Sequence, residues 1–225
     1  MQSINMKPTR LILEFIDRYT LAVDHCLPVA DRERAMLAVE LLQRSGRINQ
    51  WQHPCGLRYW TAANRKPLTD KSLARALGIL TFCHCSESRS LVTQSQLENY
   101  FPNLFRHGLP AAHYVDATSH STRLGHVRVD TGQSKIIRIA ARTRRCIDKY
   151  KQQSGFRELI GKGDFEFTWI VPTDAKQQRL TEALFPLRGS GVHLQVIAIP
   201  ELLNIVAHIP SLSNKKPNRS IPKRV

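Results

Sequence analysis

Two short apolar runs, HYVDA and HVRVDTG, each carry an aspartate, Asp116 and Asp130. Carboxylates on neighbouring strands are a common way to hold magnesium, and the ion can then activate water for phosphodiester hydrolysis. Arg128 opposes that reading. It lies two residues before Asp130, so on a strand it shares that side chain's face. A guanidinium there would pair with the carboxylate and repel a divalent cation. The segment is therefore open between a metal-dependent nuclease centre on Asp116 and Asp130 and a strand pair that binds nucleic acid without cutting it. The second is the expectation, with no catalytic or metal residue assigned and no cofactor beyond the magnesium of the nuclease alternative.

Other chemistry is sparse. The five cysteines are odd in number and irregularly spaced, which suits free thiols in a reducing compartment better than a disulfide framework. Cys83 and Cys85 flank His84, with His107 and His113 later, but zinc sites repeat a ligand pair and no second pair follows. The nine histidines form no HExxH pattern, and GKGD at residues 161–164 lacks the rest of a phosphate-binding loop.

Charge is the strongest global signal. The chain has 225 residues with 33 Lys and Arg against 18 Asp and Glu, a formal net charge of +15. Such an excess favours a polyanionic partner, most often nucleic acid. It is concentrated: residues 113–160 hold ten basic against four acidic side chains, and residues 210–225 hold five against none. The first cluster is ordered by period. Lys135, Arg138, Arg142, Arg145 and Lys149 follow at intervals of 3, 4, 3 and 4, which aligns them on one face of a helix predicted over about 134–153. Ile136, Ala140, Ile147 and Tyr150 occupy another face. The second cluster, SNKKPNRSIPKRV, is expected to be a flexible basic tail. The longest apolar runs fall short of a bilayer span, and Glu14, Asp17 and Arg18 interrupt the N-terminal apolar stretch, so a cytoplasmic protein without membrane contact is expected.

The elements that position these residues read as follows. RLILEFIDRY is an amphipathic helix, LAVDHCLPV a brief helix or turn broken by Pro28, and Asp31 caps a third helix that ends at Gly46. In that helix Met36, Val39 and Leu42 recur on one side, with Ala35, Ala38 and Leu41 flanking. Alternation around Pro-Cys-Gly at 54–56 then makes a β-hairpin. Helix, short helix, helix and hairpin is the order of a winged helix-turn-helix over residues 1–66. There Arg32 and Arg34 would enter the major groove, and Arg44, Arg47 and Arg58 would flank it. A helical connector is expected over 67–110. It holds a helix capped by Thr69 or Asp70, with Leu73, Leu77 and Leu80 docking the two halves. A shorter piece follows, with Leu97, Tyr100, Phe101, Leu104 and Phe105 as core. Residues 111–209 alternate strands and helices, which predicts a small α/β unit around a mixed sheet.

With both halves in view, the chain resembles the replication-relaxation family of plasmid and mobile-element proteins. The resemblance rests on AMLAVELLQRSGRI with LRYWTAA, on VRVDTG, on IDKYKQQ, and on FTWIVPT followed by QQRLTEAL. It implies a winged helix followed by a domain related to the PD-(D/E)XK nuclease core, an α+β or α/β chain as a whole. Family members carry an acid where this chain has Arg128. Under the nuclease alternative the resemblance would give Lys135 or Lys149 the lysine's place beside Asp116 and Asp130. The resulting expectation is a DNA-binding regulator or accessory factor in plasmid or transposition-linked DNA processing, without catalysis of its own. A protein-protein adaptor, or a homodimer within such a complex, is the further alternative.

Overall fold

The computed structural model describes residues 7–100, 102–104, 112–117 and 122–209. Helix α1 (Pro8–Tyr19) has Pro at its first turn, where a missing N–H costs nothing, and buries Ile12, Ile16 and Tyr19. A 3₁₀ turn over Asp24–Cys26 stands where Pro28 was expected to cut a helix short. Helix α2 (Arg32–Arg44) starts at Asp31, whose carboxylate accepts from the backbone N–H of Glu33 (3.0 Å) and Arg34 (3.1 Å). Gly46 follows it at φ +66°, in the left-handed conformation that ends many helices. Strands β1 (Ile48–Gln52) and β2 (Arg58–Ala62) form the antiparallel hairpin, and Ala22 adds a bridge to Trp60. Ile12, Ile16, Ala38, Val39, Leu42, Ile48 and Trp60 close one core. Leu41 is not part of its flank: it is 58% exposed beside Leu37 at 61%.

Helix α3 (Asp70–His84) begins at Thr69, which accepts from Ser72 N–H. Its Leu73, Leu77 and Leu80 are buried in a second core with Tyr19, Leu21 and Tyr59 from the first unit and Tyr114, Val127 and Ile170 from the large sheet. The expected docking role of α3 thus has a concrete form: one helix supplies both contacts.

The connector is not purely helical. Arg89–Val92 forms strand β3, the edge of the five-stranded sheet. The sequence hides it because four residues, two of them polar, give no readable alternation; pairing with the next strand creates it. Helix α4 (Gln94–Tyr100) follows, and Leu97 and Leu104 are buried as expected. Phe101, Phe105 and the side chain of Tyr100 lie outside the described residues, as do His107 and the tail 210–225.

The main sheet runs β3, β4 (His113–Ala117), β5 (Thr122–Val129), β6 (Phe165–Val171), β7 (His193–Ala198), with β4 antiparallel to both neighbours and β5, β6 and β7 mutually parallel. Helices α5 (Ile136–Lys151) and α6 (Ser154–Lys162) connect β5 to β6, and α7 (Asp174–Leu184) connects β6 to β7. They cover one face over Leu124, Phe165, Phe167 and Trp169. The other face meets α3 and the short α8 (Leu202–Val206). Helices on both sides explain why every residue of FEFTWIV in β6 is buried. The chain is an α+β protein with a mixed five-stranded sheet, and no helix among the described residues is long and apolar enough to cross a membrane.

Candidate nucleic-acid interface

The basic stripe is displayed by α5. Thr143, buried at the middle of that helix, accepts from Trp169 Nε1 (2.8 Å) and donates to the Ile139 carbonyl (2.9 Å). With Ile139, Ile147 and Tyr150 it fixes which side of α5 meets the sheet. The opposite side follows: Lys135, at the N-cap, and Arg138, Arg142, Arg145 and Lys149 are all exposed, joined by Arg144 and Lys151. None of these seven forms an ion pair among the described residues.

The first unit behaves differently. Arg32, Arg34, Arg44, Arg47 and Arg58 are also exposed, yet three of them already have acids. Arg34 lies 3.4 Å from Asp31, Arg44 3.7 Å from Glu40, and Arg58 2.9 Å from Asp24. Exposed pairs of this kind are weak and breakable, but they lower the local positive potential. Only Arg32 and Arg47 stand without such a partner among the described residues.

Asp116 and Asp130 do not converge. Asp116 is directly opposite Arg123 at the start of β5, whereas Asp130 follows the end of β5, seven residues on. At roughly 3.3 Å per residue that is about 23 Å. Side chains also alternate along a strand, so the odd spacing puts the two on opposite faces. No single ion can take both carboxylates, and Lys135 and Lys149 contact neither. Each acid has instead its own half-buried cation. Asp116 accepts from Arg89 Nε (2.8 Å) and Ser88 Oγ (2.6 Å). Burial alone would push its carboxyl up, but those hydrogen bonds and the charges of Arg89 and Arg123 hold it below the usual carboxylate range. Asp130 pairs with Lys176 of α7 at 2.5 Å and accepts from Gly132 N–H at 3.1 Å. Lys176 also donates to the Gly132 carbonyl (3.0 Å). Arg128, expected to pair with Asp130, does share its face, but its guanidinium lies 5.9 Å from the centre of the Phe167 ring and forms no ion pair among the described residues. Sequence distance concealed Lys176; its only signal was a lysine in the first turn of the helix after the strand next to Asp130.

A buried polar cluster went unread. His113 and His126 are cross-strand partners whose rings stack 5.0 Å apart under α5. Tyr150 Oη is 2.7 Å from His126 Nδ1 and 3.4 Å from His113 Nε2. Burial drives His113 down to about 4. It also drives His126 well below an ordinary histidine, with help from His113 and Arg128. Both are neutral in the fold, and only the register brings them together. On the other face Tyr114 Oη donates to Glu166 Oε1 (2.7 Å) and lies 2.6 Å from Thr168 Oγ1.

The cysteines sort by environment. Burial pushes Cys26 up to about 11 and Cys83 to about 12, so neither forms thiolate near neutrality. Cys85 is exposed, and the half-buried Cys55 has its Sγ 2.9 Å from His53 Nδ1, whose Nε2 is 3.3 Å from Asp70. Iodoacetamide at about pH 8 should therefore label Cys85 and Cys55 in the native protein and spare Cys26 and Cys83. Peptide mapping by mass spectrometry checks the order, and early labelling of Cys83 would contradict it. The described residues contain no group of three His, Cys, Asp or Glu side chains placed to hold a metal ion.

Comparison with family models, with curated proteins and with solved structures gives no match for this chain.

Proposed function

We propose that the chain is a DNA-binding protein that serves as a regulator or accessory factor in the DNA processing of a plasmid or other mobile element, without cutting DNA itself. The observation that carries the binding is the α5 face: five cations at helical spacing, exposed, with no carboxylate partner among the described residues. A helix kept that way stores favourable interaction for phosphates. The first unit is read as a winged helix because its order is helix, turn, helix and hairpin, with Ala22 bridging Trp60. The sheet is read as nuclease-like from its strand order and the single antiparallel β4. The assignment to a mobile element rests on the sequence resemblance alone. Cleavage has little support, since Asp116 and Asp130 are far apart and each is neutralised.

Duplex binding measured by fluorescence anisotropy should weaken steeply with salt. If each of the five cations meets a phosphate, log Kobs falls against log salt with a slope of about −4.5. Replacing Arg138, Arg145 and Lys149 by Gln should reduce that slope by about 2.7 in magnitude. Unchanged binding in the triple variant would remove α5 from the interface. No duplex binding by the unaltered protein at about 50 mM salt would favour the second reading, an adaptor or homodimer. The exposed Leu37 and Leu41, one turn apart on α2, are the observation behind that alternative.

A further inference from the structure

A cavity of about 620 Å³ opens between the end of α1, one side of α3, and the part of β5 that runs past the start of β4. Four arginines from four elements line it: Arg18 of α1, Arg75 of α3, Arg128 of β5 and Arg142 of α5. No Asp or Glu is among its lining residues, and none of the four arginines forms an ion pair among the described residues. Arg75 and Arg142 are exposed and Arg18 and Arg128 are half-buried, so water screens their repulsion. Four cations without an acid in one cleft still leave a positive potential that favours an anion. Arginine's planar fork suits the oxygens of a phosphate better than it suits a monatomic ion.

Backbone strain falls at the same place. Thr20, which ends α1 at φ +76° and ψ −25°, and Ala112, at φ +88°, are the non-glycine residues in the left-handed region among those described. Both line this cavity. Such conformations are costly, above all for a β-branched residue, and they gather where a binding surface needs a particular backbone path. The rest of the wall is mostly apolar and aromatic, including Tyr19, Ile79, Leu91 and Trp169, with Thr20, Ser72 and His126 as its polar residues. The volume is in the range of small-molecule sites and large for a bare anion.

We propose that this cleft binds a nucleotide, with its phosphate among Arg18, Arg75, Arg128 and Arg142 and its base against the apolar wall. The site does not depend on the duplex-binding reading, because a free nucleotide fills it without any contact to the outer face of α5. Arg142 belongs to both surfaces, so Arg18 and Arg75 are the residues that separate them.

Isothermal titration of the full chain with thymidine 5′-monophosphate, thymidine and inorganic phosphate tests the proposal. The nucleotide should bind with one site per chain, and the nucleoside and phosphate each at least about tenfold more weakly. Arg18→Gln with Arg75→Gln should weaken the nucleotide by about a hundredfold, since each removes a charge-assisted hydrogen bond. Arg75→Gln alone, at an exposed position, guards against a folding artefact and should cost about tenfold. The same double variant should bind duplex DNA within about twofold of the unaltered protein. No nucleotide binding at millimolar concentration, or equal affinity in the variants, overturns the site. Phosphate binding as tightly as the nucleotide overturns the role of the apolar wall. Nucleotide binding by a protein that ignores duplex DNA would refute the proposed function and leave the cleft standing.

Discussion

Gly125→Ala is expected to destabilise the protein by about 3 kcal/mol, the upper end for an overpacked core. A Cβ at position 125 of β5 would come 2.0 Å from Cζ of Tyr114 and 2.2 Å from its Cε1, far inside contact distance. The obstacle is a ring with no freedom to move. Tyr114 is fully buried, Phe82 packs edge-on against it at 4.9 Å, and its hydroxyl is tied to Glu166 and Thr168. Shifting the ring would detach a buried carboxylate from its donor, a further penalty beyond sterics. Urea denaturation of the two proteins measures the difference as a lower midpoint at unchanged slope. Tyr114→Leu in the Gly125→Ala background should recover part of the loss by making room, although it leaves Glu166 with Thr168 alone. A cost below about 1 kcal/mol for Gly125→Ala would mean that the β4–β5 pair can repack.

The same glycine shows what a sequence conceals. Helical and strand periods were strong enough to place α1, α2, α3, α5 and α7 and both hairpins, because each has an apolar stripe or alternation of its own. The α5 stripe was legible for that reason: intervals of 3 and 4 need no knowledge of the rest of the chain. Gly125 carries no signal of its own in the sequence, since only the register with Tyr114 gives it a role. Strand β3 was missed because its stability comes from β4. Leu41 followed the helical period of α2, yet its part of the helix faces away from the core. The aspartates show the cost of reasoning from spacing on separate strands. Asp116 and Asp130 looked alike in the sequence, whereas the antiparallel register sends them to opposite faces and to different cations. The cleft was illegible altogether: its arginines are 18, 75, 128 and 142, and no local pattern connects them.

Acidification from about pH 6.5 to 4 should destabilise the protein, with His113 and His126 as the main cause. Burial holds His113 down to about 4, against 6.5 for a free histidine, and His126 is lowered in the same direction. The unfolded chain therefore binds protons below pH 6.5 that the folded chain refuses. Stability falls as pH falls through that window, at about 1.4 kcal/mol per pH unit for each fully coupled histidine. For His113 the total down to its folded value is about 3 kcal/mol, of the order of a third of a typical domain's stability. The groups facing the pair do not offset this: Tyr150 stays neutral, and Arg128 adds repulsion to any positive charge on His126. Asp116 acts in the same direction but at lower pH, since its carboxyl is held below the ordinary range. The two contributions are separable by substitution. His113→Leu removes one titrating group and only the longer of the two Tyr150 contacts, at 3.4 Å. Thermal midpoints of this variant between about pH 7 and 4.5 should fall with roughly half the slope of the unaltered protein, while the decline below pH 4 persists. Midpoints that are flat across the window in the unaltered protein, or equally steep in the variant, would place the acid sensitivity outside this pair.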